Sequence, residues 1–139
     1  MIRGLLAAVS IWVILNIVLA LIILGFLAYQ LYIWWRGKKV AMLLINDDFK
    51  AGMHKAQIVD LREKNNFDSG HILGARNMPF SQFRILRESL RKDMPIYLYD
   101  QGKALSVRAA VQLHKLGYQK LYILKDGFEH WDGKVKKSN

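Results

Sequence analysis

The stretch "IYLYDQGKALSVRAA", residues 96–110, reads as a buried strand that runs into a tight loop and opens a helix. Where a strand end meets a helix N-terminus, unpaired backbone N–H groups gather around one spot, which suits an anion or a nucleophile. The residue at that turn is an acid, Asp100.

Working outward, "QIVDLRE" and "KLYILK" have the short, β-branched character of strands, and "SVRAAVQLHKLG" reads as a helix closed by Gly117. "FSQFRILRESLRK", residues 80–92, carries Phe83, Leu86 and Leu90 at helical spacing, and "GFEHW" starts a last short helix. Asn46, Asp47 and Asp48 supply a cap and first-turn acids for a helix carrying Phe49 and Met53 at i and i+4. Strands alternating with helices predict an α/β fold, a parallel sheet flanked by helices, over residues 47–133. A basic tail follows at residues 134–139.

The N-terminal part has a different solvent. Residues 4–35 contain no Asp, Glu, Lys or Arg, and Leu, Ile, Val and Ala dominate. As a helix, residues 5–32 extend roughly 40 Å, more than the roughly 30 Å hydrocarbon core of a bilayer. The run is too long for a signal peptide and has no small-residue cleavage site, so residues 1–36 are expected to remain as one transmembrane anchor. Tyr29, Tyr32, Trp34 and Trp35 suit the headgroup layer, and Arg36, Lys38 and Lys39 follow at once. The positive-inside rule then puts the N-terminus outside and the C-terminal domain in the cytoplasm, at the cell membrane. Asn16 is the strongly polar side chain near the middle of the run, read as tolerated with helix packing as the alternative. Gly37 can interrupt the helix, and residues 37–46 are read as a juxtamembrane linker whose apolar part lies along the membrane surface.

The segment "DLREKNNFDSGHILGARNMP", residues 60–79, closely resembles the first signature of rhodanese-homology domains. The order of strand, six-residue loop, helix, Gly-Tyr, strand and Gly-aromatic-Trp in residues 96–131 resembles the second half of that family. The resemblance covers about residues 47–131 and implies the rhodanese-like fold, here on an N-terminal anchor. In active members the first loop residue is a cysteine that carries sulfur as a persulfide, while loop amides hold the anionic part of the substrate. The resemblance places Asp100 at that position, at the head of a remnant anion loop of Asp100, Gln101, Gly102, Lys103, Ala104, Leu105 and Ser106. A carboxylate forms no persulfide, and the chain has no cysteine. Many active loops carry Arg before the serine, whereas Leu105 precedes Ser106 here, and Asp126 stands where the usual paired glycine begins.

An aspartate nucleophile for phosphoryl transfer generally needs a metal, and no second acid lies two residues on to help hold one. Ser106 is read as a helix-start cap rather than a nucleophile. The preferred reading is electrostatic: the Asp100 carboxylate lies near the amides of Gln101 to Ser106, partly fills the anion site and repels thiosulfate or phosphate. Asp60 and Arg62 are read as a pair at a strand end, and His71 as a hydrogen-bonding scaffold of the signature turn. His54, His114 and His130 have no paired metal-ligand spacing, so no metal and no cofactor are expected. Trp131 and the Tyr side chains are read as core or half-buried strand residues rather than a base-stacking platform.

The net charge of +10 includes Arg84, Arg87, Arg91 and Lys92 near one predicted helix, and Lys134, Lys136 and Lys137 in the tail. No nucleic-acid motif accompanies them, so the expected partner of this basic face is the anionic membrane leaflet or a membrane protein. The sequence thus favours a catalytically inactive, membrane-anchored binding or accessory module. A membrane-bound thiosulfate sulfurtransferase-like enzyme and a small-anion sensor are the alternatives.

Overall fold

The computed structural model describes residues 2–138, the side chains of residues 2 and 36–39 excepted. The chain divides into two compact units, residues 1–35 and 36–139. The first is formed by helix α1, Ile2–Val40, up to residue 35; the stretch Arg3–Trp35 contains an 18-residue window of mean hydropathy 2.9 and is long and apolar enough to cross a membrane. Asn16 Nδ2 donates to the Trp12 carbonyl one turn earlier at 2.8 Å, so this amide finds a partner within its own helix. The helix continues through Gly37 to Val40. The side chains of Arg36, Lys38 and Lys39, expected to flank the span, lie outside the described ones.

The second unit is built on a five-stranded, all-parallel sheet in the order β1-β6-β5-β2-β4. The strands are β1 (Met42–Leu44), β2 (Gln57–Asp60), β4 (Arg76–Asn77), β5 (Ile96–Tyr99) and β6 (Leu121–Leu124). Strand period sorts the side chains into two cores. Val59, Ile96, Leu98, Leu121 and Ile123 pack on one face against Ala109, Ala110 and Leu113 of α5, Ala104–Lys115. Ile58, Tyr97, Tyr99 and Leu124 pack on the other against Phe49 of α2, Asn46–Gly52. Buried apolar side chains on both faces are what an all-parallel sheet requires. Gly117 ends α5 with φ 95°: its N–H bonds the His114 carbonyl and the Tyr118 N–H bonds that of Leu113, a Schellman closure.

Three sequence expectations need correction. The apolar residues after Val40 do not run along a surface; Met42–Leu44 becomes edge strand β1, in register with Tyr122–Leu124. Asn46 does not cap α2: Ile45 holds the cap position, and Asn46 Nδ2 donates to the His130 carbonyl at 2.8 Å. Residues 80–92 do not form one helix but a 3₁₀ turn, the single turn α4 (Phe83–Leu86) and a second 3₁₀ turn, Arg87–Ser89. Tertiary bonds take over what helix continuation needs, since Tyr118 Oη donates to the Leu90 carbonyl and the Gln57 amide bonds both N–H and C=O of Arg91, each at 2.8 Å. The basic tail contains a short strand: β7, Val135–Lys136, pairs antiparallel with β3, His71–Ile72, and the Ser138 N–H reaches the Asp68 carbonyl.

Candidate functional site

In a parallel sheet the loops after the strand C-termini collect on one edge, where ligands of α/β proteins generally bind. At the end of β2, Asp60 and Arg62 form a pair that is 0% and 6% exposed. Arg62 Nη2 donates to Asp60 Oδ2 at 2.7 Å, Nε lies 3.1 and 3.2 Å from the two carboxylate oxygens, and the Arg62 backbone N–H reaches Oδ1 at 2.9 Å. The guanidinium also donates to the Gly70 carbonyl at 2.6 Å, and its carbon lies 4.0 Å from the centroid of the Phe128 ring. Gly70 terminates α3, Lys64–Ser69. One arginine therefore links the strand end, the signature loop and the turn after β6.

His71 is buried in the same loop. Its Nδ1 lies 2.8 Å from the Phe67 carbonyl, and its ring stacks on that of Phe67 with centroids 3.7 Å apart. Tyr99 ends β5 beneath this loop and accepts the Ile72 N–H at 3.0 Å. Burial above all, and the Asp60 carboxylate next, push the Tyr99 hydroxyl above the usual phenol range, so it stays neutral.

Asp100 follows Tyr99 and is 4% exposed. Of the loop amides, its carboxylate accepts those of Leu105 at 3.3 Å and Ser106 at 3.2 Å, and it takes the Ser106 hydroxyl at 2.5 Å. Lys103 stands at the cap position of α5 without a side-chain cap bond. The cap is thus Asp100 acting from outside the helix, and Ser106, expected to be the cap, donates to it. Leu105 packs against the α5-face core. Gln101, Gly102 and Ala104 are exposed, and Lys103 is half-buried.

The turn after β6 fixes this loop. The Phe128 N–H bonds the Asp100 carbonyl at 2.9 Å and the Glu129 N–H bonds that of Gln101 at 3.2 Å. Gly127 has φ 72°, and a Cβ there would collide with the Gln101 and Gly102 carbonyls. Gly127 alone supplies the positive φ the turn needs, and Asp126 beside it is accommodated.

The basic residues are less uniform than the sequence suggests. Arg87 donates to Gln112 Oε1 at 2.6 Å, Lys92 lies 5.4 Å from the Tyr118 ring centroid, and Arg91 makes a two-bonded pair with Asp93 at 3.0 and 2.6 Å. The hydrogen bond from Arg91 holds Asp93 below the ordinary carboxylate range. Arg84 is exposed on α4. Among the described residues no three His, Cys, Asp or Glu side chains gather closely enough to hold a metal.

The Rhodanese-like domain family profile matches residues 46–134, and the chain belongs to that family. The Bacillus subtilis (strain 168) protein YqhL is 41% identical over 121 residues, 87% of this chain and 96% of its own length. The thiosulfate sulfurtransferase GlpE of Shewanella oneidensis is 33% identical over 75 residues, 54% of this chain and 74% of GlpE. Among solved structures, the rhodanese-like domain protein of Staphylococcus aureus superposes with a TM-score of 0.63 at 21% identity, covering 70% of this chain and 98% of that one.

The pair at the end of β2 makes a sharp prediction. Asp60→Ala leaves the Arg62 guanidinium buried without its counter-charge, and chemical denaturation should show a loss of about 3–5 kcal/mol. A loss below about 1 kcal/mol, the range of an exposed ion pair, would contradict the assigned burial.

Proposed function

We propose that this chain is a membrane-anchored rhodanese-like module without sulfur-transfer turnover, working by binding a protein partner at the cytoplasmic membrane face. The residue that carries the reading is Asp100. The resemblance of residues 96–131 to the family puts it at the loop position of the persulfide-forming cysteine, and its carboxylate accepts the Leu105 and Ser106 amides. Sulfur transfer needs a polarizable thiolate that attacks sulfur and is later displaced. The chain supplies no thiol, and its loop places a negative charge where thiosulfate would have to approach.

The apolar helix supports anchoring, and Arg36, Lys38 and Lys39 after it support a cytoplasmic domain. A domain tethered beside an anionic leaflet gains roughly 1 kcal/mol for each suitably placed Lys or Arg. Arg84, Lys136 and Lys137 are exposed and suit that contact, and Arg87, Arg91 and Lys92 lie in the same basic segment. A partner embedded in the membrane meets both this surface and the apolar helix.

The purified full chain is expected to show no thiosulfate-to-cyanide sulfur transfer, and Asp100→Cys should restore little, because Leu105 still leaves the loop without its substrate-binding charge. Robust turnover by the unmodified chain would instead support the sulfurtransferase alternative, the activity named for GlpE. In intact membranes, photocrosslinkers at Leu19 and Arg84 should capture the same integral membrane protein. Capture of lipid alone from both positions would refute the binding role.

A further inference from the structure

The face of the sheet opposite α5 carries a groove of about 880 Å³, within the size range of small-molecule sites. Asp100 continues the strand register of Ile96 and Leu98 toward α5, whereas the groove opens beside Ile58 on the α2 face, so the two are separate. Its apolar walls are Met53, Ile58, Leu73 and Trp131. Leu73 is 45% exposed, a large apolar side chain left uncovered at the mouth. Trp131 packs edge-on against Phe49, with centroids 5.5 Å apart. Gly133 presses on the indole, where any Cβ would collide with the ring, so this wall is set by backbone packing.

The rim has a net positive character. Lys50 Nζ pairs with Asp132 Oδ1 at 2.6 Å and lies 5.7 Å from the Trp131 ring centroid, so these two charges largely cancel at the edge of the groove. Lys134 and His54 remain, both exposed, and among the described residues neither side chain has a hydrogen bond or ion pair. A rigid indole wall with aliphatic neighbours favours a planar apolar body. One free ammonium and one imidazole suit a single negative charge better than a phosphate or polyanion.

We propose that this groove binds a small aromatic carboxylate, its ring between Trp131 and the Ile58–Leu73 wall and its carboxylate at Lys134 and His54. The site is independent of the Asp100 loop and works whether or not that loop is silent. It gives the anchored domain a ligand-responsive surface made by the α2 end, the start of β2, the turn after β3 and the segment before β7.

The test uses the full chain in phosphatidylcholine nanodiscs, with 2-naphthoate as probe and 2-naphthalenemethanol as its neutral counterpart. Calorimetry should give saturable naphthoate binding with Kd below about 1 mM. The methyl resonances of Met53 and Ile58 should shift with the same saturation. The neutral alcohol, and naphthoate with Lys134→Gln/His54→Gln, should each bind about tenfold more weakly, as expected for a lost charge-assisted contact. Both replacements are on exposed side chains, and the neutral probe tests the same point on the unmodified chain. Equal affinity for acid and alcohol, unchanged binding in the double variant, or no shift at Met53 and Ile58 would each overturn the proposal.

Discussion

The strand-end edge of the second unit depends on a buried ion pair. Asp60 and Arg62 lie together at the end of β2, and neither charge is tolerable there without the other. The geometry that satisfies them also assembles the edge. The Asp60 carbonyl accepts the Met78 N–H, Arg62 reaches Gly70 and covers Phe128, and the Phe128 N–H holds the Asp100 carbonyl. The strand end, the signature loop and the loop before α5 thereby form one bonded network. Such a network is rigid because breaking any link exposes or orphans a buried polar group.

Within that frame, Asp100 does for α5 what a bound anion does for helices of this kind. A helix start presents unpaired N–H groups and partial positive charge, and an ionised carboxylate answers both. Here the carboxylate belongs to the chain itself, so the loop keeps its shape without a ligand. The groove on the other face has the opposite design, with apolar walls and, among the described residues, an ammonium and an imidazole without hydrogen bonds or ion pairs. The domain therefore separates a self-satisfied loop from an open surface.

Much of this was legible in the sequence because its signals are contiguous. The strands at 57–60, 96–99 and 121–124 carry their apolar and β-branched runs openly, and Gly117 marks the end of α5. The segment 60–79 holds Asp60, Arg62 and His71 within a dozen residues, so its resemblance to the family signature sufficed to locate them. What failed depended on partners distant in the chain. The helical spacing of Phe83, Leu86 and Leu90 is real, but Tyr118 and Gln57 take the backbone groups that would have continued the helix. The strand in the tail had no sequence signal, because β7 has a two-residue partner more than sixty positions earlier. Residues after Val40 looked membrane-bound because an edge strand and an interfacial segment share an apolar composition. The groove had no sequence signal at all, since Lys50, Leu73 and Lys134 meet only through the fold.

The Asp100 carboxylate acts as the ligand of α5, and amide hydrogen exchange resolved by residue tests this most directly. In Asp100→Ala, the Leu105 and Ser106 amides should exchange faster, on the order of tenfold, as expected for a lost helix cap. Ala110 and Leu113 further along α5 should keep their protection. Unchanged exchange at Leu105 and Ser106 would contradict this role of Asp100, because those amides would then owe their protection to something else.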